Sequence, residues 1–180
     1  VTGPLAILMG PMGAGKSSVG RALAAQLGVD FADLDTLIVE ADGRTIPEIF
    51  AAEGEPAFRE LEAAVLARAL AERTGVLALG GGAPLHPDAG ELLRGRPVIL
   101  LEIEEAVAAR RLARGTGRPM LEGSDPMARW RQLAQERGPT YRDLAACRID
   151  SGHGGPAHVA RTIVRTLQLD LPSGPEKETE

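Results

Sequence analysis

Lysine is nearly missing from this 180-residue chain: Lys16 and Lys177 stand against 18 arginines. Cysteine is rarer still. A lone Cys147 excludes an internal disulfide or a cysteine-built zinc site, and fits a reducing compartment. Aromatic residues make up 3% of the chain, too little material for a surface that stacks nucleic-acid bases. Acidic residues outnumber basic ones, 25 to 20, and a net charge of -5 argues against broad contact with nucleic acid or an anionic membrane. Apolar runs such as Ala63–Leu66 and Val98–Leu101 are short, where about 20 residues are needed to cross a bilayer. Val1–Gly10 also lacks the basic start and apolar stretch of a secretory signal. The expectation is a cytoplasmic chain with no nucleic-acid partner and no membrane association, acting on something small.

What is present suits one globular domain, with 44% hydrophobic and 25% charged residues. The arginine excess reads either as genomic base composition or as a preference for gripping anions in bidentate fashion, and only position separates the two.

Short apolar runs alternate with longer amphipathic stretches. Leu5–Met9, Val76–Leu79 and Pro97–Ile103 read as buried strands, Val29–Asp33 as a short extended segment and Cys147–Asp150 as a weaker final strand. Helices are expected over Ser17–Leu27, about Thr36–Gly43, Ile46–Ala52, Glu55–Glu72, Pro87–Arg94, Glu104–Leu112, about Pro126–Glu136 and about Pro156–Leu169. This rhythm predicts an α/β fold with a parallel sheet covered on both faces. Residues 1–170 read as a single domain, about 112–125 as a flap without strong period, and 171–180 as a disordered tail.

Gly10-Pro-Met-Gly-Ala-Gly-Lys-Ser17 fits G-x-x-x-x-G-K-[ST], and it follows an apolar strand and opens a helix, as its mechanism requires. Glycines let backbone N–H groups curl around phosphate oxygens, and the helix N-terminus adds positive potential. Gly13, Ala14, Gly15, Lys16, Ser17 and Ser18 are therefore candidate ATP contacts, with Lys16 reaching the β- and γ-phosphates and the Ser17 hydroxyl meeting Mg²⁺. No N-K-x-D run selects guanine, and at this length small-molecule kinases are favoured. Asp33 and Asp35 end the second strand on one side of an extended segment, so that one can approach Mg²⁺ while the other reaches an acceptor hydroxyl. Asp35 also reads as a helix cap before Thr36–Glu40. His86, His153 and His158 lack metal-ligand spacing, and Trp130 with Leu133 reads as helix packing.

Six motifs follow in order: the phosphate loop, Phe31-x-Asp33-x-Asp35, Gly54-Glu55-x-x-Phe58-Arg59-x-x-Glu62, Gly80-Gly-Gly82, Arg118-Pro119-x-Leu121 and Arg137-x-Pro139-x-Tyr141. Together, from about Leu5 to Leu169, the chain resembles the shikimate kinases. The resemblance implies a three-layer α/β/α P-loop kinase fold, a five-stranded parallel sheet in order 2-3-1-4-5, and an acceptor-binding insertion at about 34–62. It implies transfer of phosphate from ATP, with one Mg²⁺ ion, to the shikimate 3-hydroxyl, by a monomer. It also implies roles for particular residues. Asp35 would bind the shikimate hydroxyls, Arg59 and Arg137 its carboxylate, and the Gly80, Gly81 and Gly82 backbone the same pocket. Asp33 would contact the magnesium shell, Arg118 the phosphates and Arg110 the adenine, with Arg111 and Arg114 as alternatives for the last. Lys16, Asp35 and Arg118 are the catalytic candidates; the proton of the attacking hydroxyl goes to Asp35 or to solvent. The sequence departs from the family at His153, which takes a usually basic position, at Met120 and at Ser18. A gluconate kinase, or an ATP-binding module that has lost catalysis, is the competing reading.

Overall fold

Residues whose side chains are all apolar must hide both faces, and these become the centre of the sheet. In the computed structural model, which describes residues 3–113 and 125–169, strand β1 (Ala6–Met9) has no residue more than 1% exposed. Around it lie β2 (Phe31–Asp33), β3 (Val76–Ala78), β4 (Val98–Glu102) and β5 (Cys147–Asp150), all parallel, in the order β2-β3-β1-β4-β5. Ile7 stands opposite both Leu77 and Val98, so β1 is paired along both edges.

The helices are α1 (Lys16–Leu27), α2 (Leu34–Asp42), α3 (Ile46–Glu72), α4 (Pro87–Leu93), α5 (Glu105–Leu112), α6 (Pro126–Leu144) and α7 (Pro156–Leu167). Side chains alternate across β1. Ala6 and Leu8 join Val19 and Leu23 of α1 and Ile163 of α7 on one face. Ile7 and Met9 join Ile38 of α2, Leu66 of α3 and Tyr141 of α6 on the other. Both faces are thereby dry, which gives the expected three layers.

Three local readings are settled by backbone detail. α3 breaks at Gly54 (φ 79°, ψ 174°), with Pro56 starting its second stretch, so it contains the two helices expected on either side of that glycine. The cap of α2 is Asp33 rather than Asp35: Asp33 Oδ1 accepts from the Asp35 N–H at 3.1 Å, and Asp35 lies in the first turn. α6 does not stop at Glu136 but continues through Pro139 to Leu144. A proline removes one helical donor and crowds the preceding turn. Here burial of Arg137, Tyr141 and Leu144 on the core side of the same helix outweighs that cost.

The order 2-3-1 brings the C-terminal ends of three strands together. The phosphate loop leaves β1, Asp33 ends β2 and Gly80–Gly82 follows β3, so sequence-distant segments share one crevice, as in other open parallel sheets. Arg118, the flap residues 114–124 and the tail 171–180 lie outside the described residues.

Candidate active site

A cavity of about 860 Å³ opens over these strand ends. On one side stands the phosphate loop. Gly13 (φ 85°) and Gly15 (φ 84°) adopt the left-handed conformation that glycine takes without steric cost. Gly15 caps α1, so the N–H groups of the first helical turn have no helical acceptor. Lys16, Ser17 and Ser18 line the cavity together with Gly13 and Gly15. Ala14 is fully buried and its N–H donates to Pro11 O at 3.2 Å. Lys16 Nζ rests over the loop, donating to Gly10 O at 2.8 Å and Pro11 O at 3.2 Å.

The Ser17 hydroxyl donates to Asp33 Oδ2 at 2.5 Å. Asp33 thus ties α1 to α2, since its other oxygen caps the helix that carries Asp35. Burial, reinforced by the charge of Asp33, holds the Asp35 carboxyl above its ordinary value, against the opposing pull of Lys16 and Arg59.

Facing the loop is a cluster built from α3 and α6. The Glu62 side chain, 2% exposed, accepts from Arg59 Nη1 at 2.6 Å, and Glu55 accepts from Arg59 Nη2 at 3.1 Å. Burial alone would lower the Arg59 pKa, but Glu62 and then Glu55 overcome it and hold it above the usual value. Burial pushes the Glu62 carboxyl up, with Arg59 pulling against it. Arg137 is also buried, 7% exposed, and forms no ion pair among the described residues. The Tyr141 hydroxyl, one helical turn on, donates to Gly81 O; burial raises its pKa, with the Arg137 charge pulling against it.

The glycine run between these groups is shaped by close approach. A Cβ on Gly80 would come 2.8 Å from Asp35 Oδ1, on Gly81 3.1 Å from Arg137 Nη1, and on Gly82 2.2 Å from Arg59 Nη1. Each glycine therefore lies against one of the polar groups expected to hold the acceptor. Asp33, Asp35, Arg59, Gly81, Gly82 and Arg137 all line the cavity.

The nucleotide side differs in one detail. Arg110 is exposed on α5 and contributes nothing to the cavity lining, whereas its neighbour Arg111 does. Arg111 donates through Nη1 to Gly13 O at 3.0 Å and through Nη2 to Ser151 O at 2.6 Å, joining the phosphate loop to the segment after β5. His153 pairs with Asp150 at 2.8 Å on the surface. Glu62, Tyr141 and Trp130 carry no site role in the sequence reading, and Arg111 stands there only as an alternative to Arg110 for the adenine. Glu62 and Tyr141 stand inside quoted motifs, at helical spacing from Arg59 and Arg137, and that spacing was the available signal.

A phosphate loop at the end of a central parallel strand, facing half-buried Arg59 and buried Arg137 across one cleft, defines a P-loop phosphotransferase for a small anionic acceptor. The family model described as "Shikimate kinase" matches residues 12–168. A shikimate kinase of Rhodococcus erythropolis is 46% identical over 165 residues, 92% of this chain and 98% of that protein. The solved shikimate kinase of Acinetobacter baumannii in complex with shikimate superposes with a TM-score of 0.87 at 37% identity, covering 93% of this chain and 94% of that one. A gluconokinase from Sinorhizobium meliloti, at 24% identity and a TM-score of 0.61 over 91% of this chain and 90% of that one, shares the fold. The chain belongs to the shikimate kinase family.

Proposed function

We propose that this protein transfers the γ-phosphoryl group of ATP to the 3-hydroxyl of shikimate, giving shikimate 3-phosphate and ADP. The observation that carries the assignment is the gathering of half-buried Arg59, buried Arg137 and Asp35 around the Gly80–Gly82 ledge, in the same cavity as the phosphate loop. Shikimate offers a carboxylate at one end and hydroxyls at the other. Two guanidinium groups suit the first, and a carboxylate with exposed backbone suits the second.

The positions of the described residues support the following proposed roles. Arg59, oriented by Glu62, and Arg137, beside Tyr141, hold the acceptor carboxylate. Asp35 holds the 3-hydroxyl and takes its proton as the oxygen bonds to phosphorus; its raised pKa makes it a stronger base than an exposed aspartate. The bond to the β–γ bridging oxygen breaks, and ADP leaves. Lys16 and the N–H groups of Gly13, Gly15 and Ser17 hold the phosphates, and Arg118 is proposed to add a further positive charge to them. Ser17 and Asp33 offer a hydroxyl and a carboxylate oxygen 2.5 Å apart, hard donors suited to one Mg²⁺ ion bound with ATP. When bound, that ion would supply positive charge against the transferring group. Exposed Arg110 is proposed to cover the adenine, beside the Arg111 bridge. We place the protein in the cytoplasm as a monomer of one domain. The single cysteine supports this reading, and no helix among the described residues is long and apolar enough to cross a membrane.

The test is ADP release in a coupled assay with ATP and Mg²⁺, with and without shikimate, and with gluconate as the competing acceptor. Shikimate-dependent release is expected. Equal release without an acceptor, or preference for gluconate, overturns the assignment.

A further inference from the structure

Trp130 sits on α6 with 6% of its surface exposed, packed with Ala108 and Leu133, and Met12 and Leu112 lie against this cluster. Its indole Nε1–H donates to the Met12 carbonyl at 2.9 Å. A buried indole of this kind fills space, but the N–H does something packing does not. The Met12–Gly13 peptide is trans, so its C=O and N–H point in opposite directions. A Met12 carbonyl held toward α6 turns the Gly13 N–H away from α6. Both residues line the cavity. Arg111 holds the next carbonyl, that of Gly13, from α5 at 3.0 Å. Glycine takes left- and right-handed conformations with similar ease, and Gly13 (φ 85°) gives the loop no rigidity of its own.

We propose that Trp130 is a positioning residue for the nucleotide phosphates: its indole N–H fixes the Met12–Gly13 peptide so that the Gly13 N–H is presented to a phosphate oxygen. This rests on the kinase reading above. MgADP binding by the unaltered protein, measured by calorimetry, tests that reading separately.

Trp130→Phe keeps an aromatic ring and removes the donor. The dissociation constant for MgADP and the KM for ATP should rise about three- to tenfold, the worth of one neutral hydrogen bond. The KM for shikimate should stay close to its original value, while the melting temperature falls by a few degrees because a buried ring shrinks and the Met12 carbonyl loses its donor. Because the chain has a single tryptophan, one indole N–H resonance reports on the unaltered protein. It should exchange slowly with water and shift on addition of MgADP. Unchanged ADP affinity in W130F, equal losses for both substrates, or an indole proton that exchanges freely and ignores MgADP overturns the proposal. If W130F does not fold, the indole resonance decides alone.

Discussion

Gly82 is where one added methyl group should separate substrate recognition from folding. Its φ of −96° suits any residue, so alanine brings no backbone strain there. Its Cβ would nevertheless lie 2.2 Å from Arg59 Nη1, 2.4 Å from Cζ and 2.5 Å from Nη2. Ordinary contact is about 3.5–4.0 Å, so the guanidinium must retreat by about 1 Å or more. As the end of a flexible side chain it can do so without unfolding the protein. It cannot do so and keep its 2.6 Å pair with Glu62, which is 2% exposed. Deleting the partner of a buried charge costs about 3–5 kcal/mol. A displaced partner retains part of this, so we expect a loss of about 1–2 kcal/mol, a fall in Tm of several degrees. Recognition should suffer more, because misplacing a binding group by about 1 Å can cost roughly 100-fold. Steady-state kinetics on Gly82→Ala should show kcat/KM for shikimate reduced by about 30- to 100-fold, with the KM for ATP unchanged. A variant with normal shikimate kinetics would refute the close-packed geometry, and equal loss toward both substrates would refute the assignment of this side to the acceptor.

Three further outcomes are expected. Asp35 has a raised pKa, so its contribution to stability is present below the ordinary carboxylate range and is lost as pH rises through the raised value. Asp35→Asn should therefore keep or raise Tm near neutral pH while kcat falls about 100-fold or more; a lower Tm with kcat retained would reverse the assignment. The unaltered enzyme should lose activity as acid protonates Asp35, and that limb of the pH profile should vanish in D35N. Arg137→Ala should weaken shikimate binding by about 30- to 100-fold and leave calorimetric MgADP binding intact, whereas collapse of the latter would contradict its acceptor role. Gly75→Ala would bring a Cβ 2.0 Å from Asp30 O, the backbone acceptor of the Val76 N–H, and cannot relax without parting β2 from β3. It should cost about 3 kcal/mol or more; a denaturation midpoint equal to that of the parent would show the strand junction to be pliant.

Much of this arrangement is legible along the chain because it is local. Apolar runs of strand length became strands, and glycine marked the break at Gly54. Two readings failed where neighbours outvoted local rules. The helix expected over about Pro126–Glu136 instead runs through Pro139 to Leu144, because Tyr141 and Leu144 beyond the proline are buried against the core. Asp35 reads as a cap, but Asp33, anchored by Ser17, takes that place. On the nucleotide side, Arg110 and Arg111 are adjacent in sequence, and only the direction each takes from α5 shows which one reaches Gly13.

The near absence of lysine from the chain, with Lys16 at the end of a glycine-rich turn after a buried strand, was enough by itself to locate the phosphate side. Eight contiguous residues carry that geometry, since glycines at the right spacing permit the positive φ angles and the helix start supplies the donors. The acceptor side has no such contiguity. Arg59 and Arg137 come from different helices and meet at Gly81 and Gly82 only because the strand order brings β3 beside β1 and α6 packs over them. Tertiary structure also gave Trp130 a partner, the Met12 carbonyl, that no spacing rule names. A backbone loop encodes its own shape, whereas a site assembled across elements depends on which surfaces the core forces together.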